Sequence, residues 1–101
     1  MAKGYWIVHV DVTDAEAYKD YVAANAIAFA KYGARFLVRG GNATLQAGVL
    51  RPRHVVIEFR DYATALACHD SPEYQLAATL RDKASRVDLA IVEGYDGAQP
   101  R

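Results

Sequence analysis

Four short stretches rich in β-branched and aromatic residues are interleaved with two segments of helical period, in the order strand, helix, strand, strand, helix, strand, and few folds accept that order. The firmest stretch is His54–Phe59 (HVVIEF), whose mixed apolar character suits a strand covered on both faces. Tyr5–Asp11 (YWIVHVD) alternates Trp6, Val8 and Val10 against Ile7, His9 and Asp11, the two-residue period of a strand. Phe36–Arg39 and Val87–Glu93 complete the set. Gly40-Gly41-Asn42 reads as a tight turn that returns the chain through a short strand, Ala43–Gln46, in an edge hairpin.

The helical segments carry their own punctuation. Thr13 followed by Glu16 is a capping box, and from Asp14 to Tyr32 the residues Tyr18, Tyr21, Val22, Ala28, Phe29 and Tyr32 recur at spacings of three and four. Gly33 ends that helix, because glycine enters the left-handed conformation without a Cβ penalty. A second helical region, Asp61 to about Arg86, is broken near Asp70-Ser71-Pro72, where Ser71 caps a new piece and Pro72 occupies its first position. The order predicts an α+β chain of the ferredoxin-like βαββαβ plan: a four-stranded antiparallel sheet with helices on one face. At 101 residues the chain has room for one core, so 1–101 is read as a single domain with its core at about 4–97 and a flexible tail at 98–101.

Composition narrows the partners. Twelve basic and twelve acidic side chains cancel, and the densest basic stretch is Arg51-Pro52-Arg53, so neither nucleic acid nor an anionic membrane is an expected partner. No apolar run approaches a membrane span and Met1-Ala2-Lys3-Gly4 leads straight into a strand pattern, which places the chain in the cytoplasm. A lone cysteine, Cys68, fits a reducing compartment and reads as a small buried hydrophobe.

With Val8, Val10, Phe36, Val38, Val55, Ile57, Phe59, Leu89 and Ile91 turned toward the helices, strand alternation turns Ile7, His9, Leu37, Arg39, His54, Val56, Glu58, Ala90 and Val92 the other way. A face that met only water would be more uniformly polar. Burying such an aliphatic patch yields roughly 25 cal/mol per Å², and monomers seldom expose large contiguous ones. A homodimer paired through the sheet is therefore expected, since a two-fold needs only one self-complementary surface.

The stretches YWIVHVDV, KYGARFLVRGG, RPRHVVIEF, SPEYQ and IVEGYDG, in this order and spacing, resemble the family called domain of unknown function 1330, over about Gly4 to Gly97. That resemblance implies the dimeric α+β barrel architecture, in which ferredoxin-like protomers pair through their sheets. The wider superfamily includes cofactor-independent monooxygenases, muconolactone-type isomerases, haem-degrading and haem-dependent enzymes, and proteins without known activity. It implies no particular catalytic residue. The family often carries an aromatic residue just before the SPEY segment, where this chain has His69, so His69 is not expected as a shared catalytic group.

Two groups of residues are candidates for chemistry. His9, Arg39 and Glu58 lie on three strands and are all expected on the dimer-facing side, where a charge such as Glu58 needs a partner. They form either an acid/base pair with an arginine for a carboxylate or enolate, or an ion-pair network that fixes dimer register. On the first helix Asn25 falls within the apolar stripe, and with Trp6, Tyr18 and Tyr21 as aromatic walls it marks a ligand pocket between helix and sheet, or else a core amide satisfied by backbone or water. No HxH, HExxH or CxxC spacing is present, so no metal and no cofactor is expected. Two readings of function stay open: an enzyme working on a small organic molecule by proton transfer or cofactor-free oxygenation, and a non-catalytic dimeric ligand-binding or accessory protein.

Overall fold

The computed structural model describes residues 2–101. Its elements are β1 (Gly4–Val12), α1 (Ala15–Tyr32), β2 (Arg35–Arg39), β3 (Arg53–Phe59), α2 (Tyr62–Asp70), α3 (Pro72–Ala84) and β4 (Ser85–Glu93). The strands form one antiparallel sheet in the order β2-β3-β1-β4. This is the ferredoxin-like α+β fold expected from the order of periodicities. No helix among the described residues is long and apolar enough to cross a membrane.

Local chemistry sets the element ends. Asp14, not Thr13, caps α1: its carboxylate accepts the Ala17 N–H at 3.1 Å. Thr13 and Asp14 both donate their backbone N–H to the Ala84 carbonyl, which ties the strand end to the end of α3 and delays the helix by one residue. Glu16, freed from a capping box, pairs with Lys19 at 3.1 Å. Gly33 closes α1 at φ 66°, as expected. Ser71 does two jobs at the α2–α3 break: its hydroxyl donates to the Cys68 carbonyl at 2.6 Å and accepts the Tyr74 N–H at 3.1 Å, with Pro72 in the first turn.

The expected return strand Ala43–Gln46 does not form. The outer edge of β2 stays open, but the Gly40 N–H bonds the His54 carbonyl at 2.9 Å, so the chain at the expected turn stays tied to β3 and does not fold back along β2. Residues 42–50 instead make an open connection with Leu45, Val49 and Leu50 exposed.

The core gathers around Trp6, whose indole packs edge-on against Phe29 and Tyr74 and tilted against Phe59. Its Nε1–H donates to the Ala65 carbonyl at 2.9 Å, so the one polar atom of the ring is satisfied. Removing such a side chain costs about 3–5 kcal/mol. Among the described residues no element covers the sheet face away from the helices, and Ile7, Val38 and Val92 are 38%, 41% and 40% exposed there.

Candidate functional site

A β-bulge decides what β2 presents. Phe36 pairs with Ile57, but Val38 pairs with Val56 and Arg39 with Val55, so the register gains one residue between Phe36 and Val38. Opposed residues in an antiparallel ladder share a face, and Val55 and Ile57 belong to the core. Arg39 is therefore turned to the helix side and Val38 to the open side, the reverse of strict alternation. The Arg39 guanidinium sits 4.1 Å over the Phe36 ring, a cation–π contact that holds it at the mouth of the cleft beneath α1.

That cleft is lined by Trp6, Tyr18, Tyr21, Val22, Asn25, Phe29 and Phe36 with aliphatic residues of β1, β3 and β4, and by two arginines, Arg39 and Arg53. All four residues singled out for a pocket, Trp6, Tyr18, Tyr21 and Asn25, are on its wall. Its open space is about 30 Å³, room for a water or two rather than an organic molecule. Trp6, Tyr21, Asn25 and Phe29 are buried at its floor, Tyr18 and Arg53 are half-buried, and Arg39 is exposed. For anything larger to enter, wall side chains must move, and the exposed Arg39 and half-buried Tyr18 are the least constrained of them.

The cleft is cationic. It is lined by no carboxylate, and among the described residues neither Arg39 nor Arg53 has an acidic partner. The Nε of Arg53 is buried without a hydrogen-bond partner. Gly40, at φ 70°, lets the Arg53 guanidinium lie against the backbone, where a Cβ would stand 2.5 Å from one of its terminal nitrogens. Burial raises the Tyr18 phenol above its ordinary range, helped by Tyr21, while the charges of Arg53 and Arg39 pull it back. Deeper in, the Tyr21 and Tyr74 hydroxyls lie 2.8 Å apart, and Arg81 donates to Tyr74 at 3.2 Å. Burial first, and then the Tyr74 hydroxyl, drive the Tyr21 phenol strongly upward, so it stays neutral in ordinary water.

His9, Arg39 and Glu58 are not brought together. His9 and Glu58 do share the open face, but His9 stands opposite His54, with the two Nδ1 atoms 2.8 Å apart. Glu58 lies four positions along β3 and accepts a hydrogen bond from the Tyr5 hydroxyl at 3.0 Å. Arg39, expected on that same face, is on the other side of the sheet because of the bulge. The acidic neighbour of His9 is Asp88 on β4, itself paired with Arg51 at 3.0 Å. Among the described residues no group of three or more His, Cys, Asp or Glu side chains is placed to hold a metal ion.

Sequence reasoning missed Arg53 at the cleft and the pairing of His54 with His9. Arg53 enters the sequence only as part of the basic stretch Arg51-Pro52-Arg53, and its signal is the strand that begins there. The His9–His54 contact follows from the β1–β3 register, which no local spacing reports.

Residues 3–95 match the family described as Domain of unknown function (DUF1330). No curated protein matches the sequence. Among solved structures, the RPA0582 protein of unknown function from Rhodopseudomonas palustris is similar at 16% identity and TM-score 0.73, over 95% of this chain and 85% of that one. SnoaB, a cofactor-independent oxygenase from Streptomyces nogalater, is similar at 14% identity and TM-score 0.60, over 99% of this chain and 97% of that one. A dimeric protein of unknown function and ferredoxin-like fold from Bacteroides fragilis is similar at 14% identity and TM-score 0.53, over 90% of this chain and 95% of that one. At these identities the likeness is one of fold.

Proposed function

This chain belongs to the DUF1330 family, and we propose that it acts on, or carries, a small organic molecule held in the cleft between α1 and the sheet. One observation carries the reading: two arginines without acidic partners converge with Tyr18 on a cleft whose floor is aromatic and buried. Concave sites with mostly apolar walls and a few convergent polar groups are where small molecules bind. As chemistry, proton transfer or cofactor-free oxygenation of a modest organic substrate suits the site, because guanidinium groups stabilise the enolate-like charge that either reaction develops. The likeness to SnoaB, described as a cofactor-independent oxygenase, is support from fold alone.

A second reading, a binding protein without turnover, is favoured by the lining: among the described residues no His, Asp or Glu lines the cleft, and its proton-transfer groups besides arginine are Tyr18 and Tyr21. Oxygen uptake and solvent-deuterium incorporation, measured with a ligand that binds the cleft, separate the two. Uptake or exchange lost in Tyr18→Phe supports an enzyme. Tight binding with neither leaves a carrier.

The working unit in this proposal is a homodimer paired through the open sheet face. The exposed Ile7, Val38 and Val92 around half-buried Val56 make the aliphatic patch that a second copy would cover. The B. fragilis relative, described as dimeric, supports the same assembly. Sedimentation is expected to find a dimer at micromolar concentration and a monomer for Val56→Arg; wild-type protein that sediments only as monomer sinks the assembly.

A further inference from the structure

We infer that the occupant of the cleft is an organic carboxylate with a short apolar body, its head held between Arg39 and Arg53 and its body laid over the aromatic floor. The inference rests on the cleft being a small-molecule site and adds the chemical class of what enters it.

The charge argument comes first. Arg39 and Arg53 arrive from adjacent strands, β2 and β3, and line one cleft with no carboxylate between them. Two guanidinium groups held near one another without a counter-ion repel, and an anion relieves that repulsion while using donors both side chains leave unmade. The Arg53 Nε is the sharpest such donor, since it is sealed from water and bonds to nothing. Arginine's fork matches a planar two-oxygen acceptor better than a point charge, which favours a carboxylate over a halide.

Placement then fixes the body. The charged groups stand at the mouth and half-way in, whereas Trp6 and Phe29 at the floor are 1% and 5% exposed. A head near the rim with an apolar tail inward pairs each part of the ligand with its own surroundings. An inorganic anion would satisfy only the rim. The Tyr21 hydroxyl at the floor is already bonded to Tyr74, which also takes a hydrogen bond from Arg81, so the Asn25 amide is the polar group the tail meets there.

The bulge is what makes the arginine pair. Were Leu37 paired in regular register opposite Val56, Arg39 would fall opposite His54 on the other face and leave Arg53 alone in the cleft. Its stacking on Phe36 orients it without an acidic partner, so its charge is free for a ligand.

The test is a titration of the full-length protein with benzoate, cinnamate and hexanoate, against benzamide and inorganic phosphate, read by the emission of Trp6, the chain's single tryptophan. At least one carboxylate is expected to saturate the signal with benzamide and phosphate at least about tenfold weaker, and Arg39→Gln or Arg53→Gln to weaken it by about tenfold each. Arg39→Lys, which keeps the charge and loses the fork, is expected to fall between. Because Arg39 is exposed, its variants keep the fold, and circular dichroism checks Arg53→Gln. Benzamide binding as tightly as benzoate overturns the carboxylate assignment and leaves the cleft reading standing. Phosphate binding as tightly removes the apolar body from it. Carboxylates that bind calorimetrically without moving Trp6, or none that bind at all, overturn both.

Discussion

His9 and His54 face each other across the β1–β3 ladder with their Nδ1 atoms 2.8 Å apart and their rings steeply inclined at 78°. One ring must donate and the other accept, so a single proton bridges them. Replacing His54 by Ala is expected to cost about 0.2–1 kcal/mol, the range of a cross-strand pair, with an unchanged denaturant slope. Nitrogen-detected NMR that finds the same tautomer on both rings would remove the bridge.

Leu37 is the extra residue of the bulge, and deleting it should have an outcome opposite to intuition. Removing it regularises the ladder while Val38 stays opposite Val56 and Arg39 opposite Val55, so Arg39 remains on the helix face. Stability is expected to shift by no more than about 1 kcal/mol, as for most changes at exposed sites. Arg39→Gln made in the deleted background should still weaken carboxylate binding. If it has no effect there, the bulge does more than set register.

Much of the architecture was legible before the structure, because it depends on periods and punctuation that are local. Gly33, Ser71 and Pro72 sit where the helices end and begin, and the aromatic residues of the first helix point where their three-and-four spacing sends them. On the cleft wall Tyr18, Tyr21 and Asn25 followed from the same periodicity, and Trp6 from the two-residue alternation of the first strand. Arg39 did not, because a one-residue bulge reverses every side chain after it and leaves no mark in composition. The proposed triad failed for a related reason: strand membership says which face a residue takes, but only the register places His9 beside His54 and Glu58 beside Tyr5.

Gly40 and Gly41 both have left-handed backbone, at φ 70° and 83°, yet only Gly40 touches Arg53. Alanine at either position should cost about 1–2 kcal/mol from the backbone. At Gly40 the Cβ would also push against the Arg53 guanidinium, whose flexible stem yields at little further cost in stability. Gly40→Ala is therefore expected to weaken carboxylate binding while Gly41→Ala of similar stability does not, both read by the Trp6 titration. Equal affinities in the two variants would mean that Arg53 does not depend on Gly40 for its position.

Cys68 is fully buried, and burial pushes its thiol up to about 12. The thiolate is the nucleophile, so at pH 8 the folded chain should react with iodoacetamide only through opening. Unfolded, the same thiol titrates near about 8.5. The raised value means that the folded state holds the proton more tightly, so this group's contribution is fully present below about pH 8.5 and falls as pH rises toward about 12. Labelling rates across a urea series should track the unfolded fraction at pH 8, and Cys68→Ala should lessen the loss of stability between pH 9 and pH 11, ranges set by that pair of values. The packing loss in Cys68→Ala lowers stability at every pH and leaves that slope readable. Rapid labelling in the absence of denaturant would contradict the sealed position of the thiol against α1, where its sulfur lies 3.9 Å from the Ala28 carbonyl oxygen.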